Sequence, residues 1–260
     1  MQRMQKNSFC SPAKLNLFFR VLTKREDGFH EIFSLFQAIN LKDTLTFQFS
    51  SKDELISNST NVPLDASNLI FRASHIFQKN LGKTFFIKVH LQKSIPIQAG
   101  LGGGSSNAAT TLWALNTFFK RPFSVQELIS MGKELGSDVP FFFSLGTAFC
   151  RGRGELLEDT TLNAPFQAYL AKPNFGLCTA SVYQNLKLNK QNSSEQFFND
   201  LEKSAFELEP RLILFKQKLL DSGFSRVVMS GSGTSYFCFG EGSYPALKIK
   251  GINRKKELWY

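Results

Sequence analysis

The sequence predicts a globular protein of mixed strands and helices that divides into two domains near residue 163. The 260 residues are 42% apolar, enough to bury one large core or two smaller ones. Segments with the period of a strand alternate with segments with the period of a helix. From about residue 165 the pattern begins again with a strand. We therefore assign 1–163 to an N-terminal domain and 164–260 to a C-terminal domain.

The first half contains three predicted strands and a helix. Residues 9–22 are extended and β-rich, with a proline near their start, and a loop at 23–31 follows. Residues 44–50 and 85–91 alternate apolar and polar side chains, which predicts two half-buried strands. Between them, the run 68–81 carries apolar side chains at helical spacing, so we predict a helix there.

Two more helices are predicted before the boundary. A run of glycines leads into an amphipathic helix whose apolar face is Leu112, Trp113, Leu115 and Phe119. Residues 124–135 begin with a serine and a glutamate three residues later, a capping-box pattern, and end before Gly136.

The second half is simpler. We predict a strand at 166–172, a helical stretch at about 195–221, and two strands joined by a tight glycine turn within 225–240. The tail beyond residue 240 is short and basic, and it matches no functional motif.

Composition excludes several classes of protein. No apolar run is long enough for a membrane span or a signal peptide, so we expect a cytoplasmic protein. The four cysteines and three histidines are scattered, which argues against a disulfide framework or a zinc site, and we assign no metal ligand. A net charge of +10 suits an anionic partner but does not distinguish phosphates from nucleic acid or from compositional bias.

The glycine-rich turn at residues 100–104, with the two serines after it, predicts a phosphate-binding loop. Glycine lets backbone N–H groups approach an anion closely, and the helix that follows directs its positive dipole end at the same point. The turn matches neither the Walker A loop nor G-x-G-x-x-G. A second glycine turn at 229–235 is either part of the same site or only a hairpin connection.

Two charged residues stand beside apolar runs and are candidates for chemistry. Asp138 precedes a run of phenylalanines, where a carboxylate needs a cationic or hydrogen-bonding partner to stay ionised. Lys14 interrupts an apolar strand and could be that cation, and Asn16 faces the same side because side chains alternate along a strand. The alternatives are a helix cap for Asp138 and a surface position for Lys14.

Four blocks occur in an order that resembles the GHMP kinases: SPAKLNL with DGFHEI, PIQAGLGGGSSNAATTL, GSDVPFFF and MSGSGTS. The resemblance implies two α+β domains, the first like domain 2 of ribosomal protein S5 and the second ferredoxin-like, with the active site between them. It also implies ATP as co-substrate. It is strongest to members that phosphorylate a hydroxyl of an alcohol carrying cytidine diphosphate, in the non-mevalonate route to isoprenoid precursors.

The resemblance also assigns residues to roles. Asp138 would be the general base and Lys14 would stabilise it and the transferred phosphoryl group. The residues expected to bind ATP are Gly100, Leu101, Gly102, Gly103, Gly104, Ser105, Ser106, Asn68 and Lys93. Those expected to bind the second substrate are Asn16, Phe29, His30, Thr179 and Tyr183.

The cytidine-binding group departs from the family pattern at two places. Phe29 stands where tyrosine is common, which keeps stacking but removes a phenol hydrogen bond, and Ala180 replaces a proline after Thr179. His30 would hydrogen-bond the base, and Tyr183 would be the second stacking ring. Mg²⁺ is expected with ATP, held by water, phosphate and a serine hydroxyl besides Asp138.

Two other functions remain open. Another GHMP kinase acting on homoserine, mevalonate or a sugar would not need the cytidine-binding residues. A nucleic-acid-binding protein would suit the charge of +10, but the phenylalanines lie in core-like runs and not in exposed stripes. We therefore expect no nucleic-acid or membrane partner, and a monomer or weak homodimer.

Overall fold

In a computed structural model, which describes residues 7–187 and 196–260, the chain builds two sheets. The first has six strands in the order β3–β4–β2–β5–β6, with β1 paired to β2, and only β3–β4 is parallel. Its strands are β1 (Asn7–Lys24), β2 (His30–Ser50), β3 (Glu54–Ser57), β4 (Phe86–Gln92), β5 (Thr147–Gly152) and β6 (Leu156–Asp159).

The long hairpin of β1 and β2 is the frame of this sheet. The predicted strands at 9–22 and 44–50 are confirmed within it, but the predicted loop at 23–31 was too long, because pairing continues from Lys24 to His30. β1 changes register beside Pro12, where a missing N–H is tolerated.

Three helices cover one face of the first sheet. They are α1 (Leu69–Leu81), α2 (Gly103–Phe118) and α3 (Val125–Leu135), followed by a short 3₁₀ helix (Pro140–Phe143). The predicted α1 and the capping box of α3 are confirmed, the latter by reciprocal Ser124 and Glu127 bonds. The amphipathic prediction for α2 was wrong: residues 106–116 are all buried, because the helix lies among α1, α3 and the sheet.

The second sheet has four antiparallel strands in the order β10–β7–β9–β8. Its elements are β7 (Gln167–Ala171), α4 (Thr179–Gln184), α5 (Glu202–Leu208), α6 (Arg211–Asp221), β8 (Arg226–Met229), β9 (Tyr236–Phe239) and β10 (Leu247–Lys250). The single helix predicted at 195–221 is two helices, because Pro210 cannot continue α5, and residue 195 lies outside the described residues. None of the described helices is both long and apolar enough to cross a membrane.

The two sheets meet at a shared apolar core. One face of the second sheet packs on α4, α5 and α6, and its other face packs on β1 and the glycine turn through Leu15, Leu101 and Phe237. The link from β6 to β7 contains residue 163, and the boundary there stays a prediction. Residues beyond β10 return to the first sheet's core.

The capping box of α3 gives a test of local stability. Ser124→Ala removes the side-chain oxygen that accepts from the Glu127 N–H, so we expect the free energy of unfolding to fall by about 1 kcal/mol. Urea denaturation measures this. Ser130→Ala, on the exposed face of the same helix, is the control and should be neutral or slightly stabilising. Equal effects of the two changes would contradict the capping role.

Candidate active site

Lys14 and Asp138 form an ion pair at the junction of the two sheets. The Lys14 Nζ lies 3.2 Å from Oδ2 of Asp138, and the lysine side chain is 5% exposed while the aspartate is 34% exposed. Nζ also donates to Asn16 Oδ1 at 2.8 Å and lies 4.3 Å from the centre of the Phe36 ring. The predicted partnership of Lys14 with Asp138 and the shared side of Lys14 and Asn16 are both confirmed.

Asn16 is fully buried behind Lys14. Its Nδ2 donates to Ser34 Oγ at 3.1 Å, and its backbone N–H donates to Ser230 Oγ at 3.2 Å. The side chain therefore supports Lys14 and ties β1 to β2, and the backbone ties β1 to the second glycine turn. Direct contact of Asn16 with a substrate stays a prediction.

The glycine turn lies along a cavity of about 460 Å³ that also includes Lys14 and Asp138. Gly100 and Gly102 have φ of 74° and 67°, left-handed conformations that favour glycine. α2 begins directly after them, and the first N–H groups of a helix have no partner within it. The predicted combination of glycine turn and helix N-terminus is thus present at the carboxylate.

The second glycine turn holds the first in place. A Cβ on Gly100 would lie 2.2 Å from the Ser230 carbonyl oxygen, and one on Gly233 would lie 2.1 Å from the Gly100 nitrogen. The Ser235 N–H donates to the Ala99 carbonyl at 3.3 Å. Of the two alternatives for residues 229–235, the structure shows more than a hairpin connection, since Gly231 and Ser232 also line the cavity.

The two serines of the turn differ. Ser105 lines the cavity, whereas Ser106 is fully buried and accepts a bond from Ser11 Oγ at 2.8 Å. The Ser106 N–H donates to the Gly102 carbonyl at 2.8 Å. The Ser106 N–H thus bonds within α2 and its buried hydroxyl lies against Ser11 of β1, and the contact of Ser106 with ATP stays a prediction.

Asn68 and Lys93 lie on the wall of the same cavity. Asn68 caps α1: its Oδ1 accepts from the Ile70 N–H at 2.9 Å and its Nδ2 donates to the Pro63 carbonyl at 2.6 Å. Lys93 pairs with the buried Asp43, and burial still lowers the pKa of its ammonium group. Their assignment to the adenosine pocket stays a prediction.

Asp43, which the sequence reading missed, lies behind the cavity wall as the partner of Lys93. It is fully buried and accepts from the Ser94 and Ile95 N–H groups at 2.8 Å and from Asn107 Nδ2 at 3.2 Å. It thereby ties β2 to the segment that follows β4 and to Asn107 of α2. The signal was a lone carboxylate inside an apolar strand, where a buried charge needs several partners.

Three of the residues predicted to bind the second substrate, His30, Thr179 and Tyr183, lie at or beside α4. The His30 and Tyr183 rings stack with centres 5.3 Å apart, and Thr179 accepts a bond from Ser232 Oγ at 2.8 Å. Burial raises the pKa of Tyr183, and burial together with Lys24 lowers the pKa of His30, which favours the neutral imidazole.

Phe29 is separate from the cavity. It lies at the tip of the β1–β2 hairpin with 52% of its surface exposed, and the Arg153 guanidinium lies 4.8 Å from the centre of its ring. Thr179 and Tyr183 line the cavity, while His30 stacks on the Tyr183 ring beside it. The structure thus brings His30, Thr179 and Tyr183 together and leaves Phe29 in the adjacent turn.

The tight packing of Gly100 can be tested by substitution. Gly100→Ala would force a Cβ against the Ser230 carbonyl at positive φ, so we expect at least about 2 kcal/mol of destabilisation in urea denaturation. Gly104→Ala is the matched control, because its Cβ would meet only Leu69 at 3.6 Å in a helix that favours alanine. A Gly100→Ala protein as stable as Gly104→Ala would rule out the packing argument.

Comparisons with known proteins agree with this geometry. Residues 68–146 match the family model for the GHMP kinases N terminal domain. A 4-diphosphocytidyl-2-C-methyl-D-erythritol kinase from Protochlamydia amoebophila is 46% identical, covering 96% of this chain and 91% of that relative. A chloroplastic protein of the same name from Oryza sativa is 42% identical over 91% of this chain and 65% of its own length.

Solved structures show the same fold. A crystal structure of 4-(cytidine 5'-diphospho)-2C-methyl-D-erythritol kinase superposes with a TM-score of 0.79 at 30% identity, covering 95% of this chain and 99% of that one. A homoserine kinase from Cytophaga hutchinsonii superposes at 0.69 with 18% identity over 98% of both chains, which supports the fold alone. Together with the paired Lys14 and Asp138 beside a glycine turn, these matches place the chain in the 4-diphosphocytidyl-2-C-methyl-D-erythritol kinase family of the GHMP kinases.

Proposed function

We propose that this protein transfers the γ-phosphoryl group of ATP to the 2-hydroxyl of 4-diphosphocytidyl-2-C-methyl-D-erythritol, in the non-mevalonate pathway of isoprenoid precursor biosynthesis. The observation that carries the proposal is the Lys14–Asp138 pair beside the glycine turn in one cavity. The identity of 46% to a relative of that name supports the choice of substrate.

The triphosphate is proposed to lie on residues 100–105. Free N–H groups at the start of α2 and a partial positive charge of about half a unit favour an anion there. Lys14 adds its positive charge at the same place, because its side chain lies against the Gly102 backbone. The terminal phosphate then faces Asp138.

Asp138 is proposed to accept the proton of the substrate hydroxyl. The oxygen then bonds to the γ-phosphorus as the bond from phosphorus to the β–γ bridging oxygen breaks, and ADP leaves. Lys14 stabilises the charge on the transferred group. Asn16 and Phe36 hold the Lys14 Nζ in position, so the group does not have to reorganise during the reaction. Positioning and electrostatics dominate such transfers.

Mg²⁺ is included in the proposal as the partner of ATP. No three Asp, Glu, His or Cys side chains form a metal-binding group among residues 7–187 and 196–260. Asp138 and Ser105 line the cavity and would contribute oxygens, and phosphate and water would supply the rest. Bound Mg²⁺ would neutralise phosphate charge.

The base of the cytidyl group is proposed to stack on Tyr183. His30 covers that ring here, so binding requires the imidazole to move aside and present a ring nitrogen to the base. Phe29 at the hairpin tip would close over the other face of the base. The cytoplasmic location, the monomeric or weakly dimeric state and the lack of nucleic-acid or membrane partners stay predictions from the sequence.

Substrate choice is tested by measuring ADP release with 4-diphosphocytidyl-2-C-methyl-D-erythritol beside homoserine, mevalonate and galactose. We expect turnover with the cytidyl substrate and background rates with the other three, because only it uses Tyr183 and His30. Comparable or faster turnover of another alcohol would contradict the proposal.

The role of Asp138 gives a second prediction. Asp138→Asn keeps the shape of the side chain but cannot accept the proton, so we expect turnover to fall by about 10²–10⁴-fold or more while ATP still binds. Steady-state kinetics and ATP titration measure the two quantities. Asp221→Asn, at an exposed position at the end of α6, is the control. Turnover within about tenfold of the wild type would remove Asp138 from the mechanism.

The rings give a third prediction. Tyr183→Ala and Phe29→Ala each remove a surface for base stacking worth about 1–3 kcal/mol, so KM for the cytidyl substrate should rise about 5- to 150-fold. KM for ATP should change much less. Phe86→Ala, an exposed ring on β4, is the control and should leave both values unchanged. Equal increases for both substrates would count against stacking.

A further inference from the structure

The last ten residues, Gly251–Tyr260, leave the second sheet and return to the first; we call them the return segment. Gly251 bridges to Ile39 of β2, and the Ile252 N–H donates to the Ala38 carbonyl at 2.9 Å. The side chains of Ile252, Trp259 and Tyr260 pack on the core beneath the helices. The sequence assigned no function to these residues, yet they contact three elements of the proposed active site.

The first contact is with the segment that carries Asp138. Arg254 is 6% exposed, and its guanidinium donates to the carbonyls of Phe143 and Ser144 at 2.5 and 3.0 Å. Its backbone N–H donates to the Leu145 carbonyl at 2.9 Å. Three consecutive carbonyls at the end of the 3₁₀ helix are thereby fixed. Asp138 lies two residues before that helix begins.

The second and third contacts are made by Trp259. Its Nε1 donates to the Cys10 carbonyl at 2.7 Å, on the strand that carries Lys14. Its ring stacks on Trp113 of α2 with centres 5.2 Å apart and also contacts Phe143. α2 begins at the phosphate-binding turn, so one ring touches all three elements.

Arg254 also joins the return segment to itself, because its Nη1 donates to the Leu258 carbonyl at 3.1 Å. A buried guanidinium needs such partners, and its removal would leave several carbonyls unpaired inside the protein. The bonds have fixed directions because the guanidinium is a planar fork of donors. Arg254 therefore sets a distance between the return segment and residues 143–145, which packing alone would not fix.

We propose that the return segment is a positioning element for phosphoryl transfer, with Arg254 as its positioning residue. It holds the Asp138 segment against β1 and α2, so that the carboxylate, Lys14 and the phosphates keep one geometry. This inference rests on the proposed role of Asp138. Displacement of about 1 Å at reacting groups can cost about 10²-fold in rate.

A cavity of about 780 Å³ on the side of α3 and β6 makes the inference testable, because Arg254 lies on its wall. Removal of the guanidinium in Arg254→Ala leaves a space that a free guanidinium ion can enter from this cavity. Such an ion would restore the bonds to the carbonyls without restoring any other contact. A residue that acts only through chain packing would not respond in this way.

The experiment compares Arg254→Ala, Arg254→Lys and the neighbouring exposed control Lys255→Ala. The alcohol that the wild type phosphorylates fastest is used, so an error in the substrate proposal does not affect the ratio of rates. We expect kcat of Arg254→Ala to fall about 10- to 100-fold, with both KM values within about threefold. Arg254→Lys should be intermediate, Lys255→Ala unchanged, and millimolar guanidinium should raise kcat of Arg254→Ala alone.

Circular dichroism and the melting temperature show whether each variant is folded at the assay temperature. If Arg254→Ala melts earlier but keeps kcat within about twofold, the segment is only structural and the proposal fails. If Arg254→Ala does not fold, Arg254→Lys and Trp259→Phe test the proposal instead. Trp259→Phe keeps an aromatic ring and loses the bond to the Cys10 carbonyl. Unchanged kcat in both folded variants overturns the proposal.

Discussion

The ion pair between Lys14 and Asp138 is the interaction on which the site depends. A buried ammonium group is stable only with close partners, and Lys14 has three: the carboxylate, the Asn16 amide and the face of the Phe36 ring. These partners come from β1, β2 and the turn before the 3₁₀ helix. The pair can form only if the whole hairpin and the helical layer are in place, so the chemistry is coupled to the fold.

The phosphate-binding turn is coupled to the fold in a different way, through backbone contact. Gly100 lies directly against Ser230 and Gly233 of the turn between β8 and β9, at distances that leave no room for a side chain. The turn is thus held by both halves of the protein. A movement of one half relative to the other would change the site where we propose that ATP binds, and this is a physical reason for placing such a site at a junction.

Local patterns predicted the local structure well. The helix α1, the capping box of α3 and the strand pair around the second glycine turn follow from contacts among neighbouring residues, which the sequence displays directly. The errors arose where distant parts decide. α2 carries an apolar face, but its residues 106–116 are buried on every side because α1, α3 and the sheet surround them.

The sequence by itself determined the elements, the glycine turn before a helix, the common side of Lys14 and Asn16, and the family resemblance, because each depends on residues near one another or on their order. Only the tertiary structure decided what surrounds them: Asp43 beside Lys93 and Asn107, His30 over Tyr183, and Arg254 beneath the Asp138 segment. These contacts join residues far apart in the chain. Their energies depend on burial and direction, which exist only after the sheets and helices have packed.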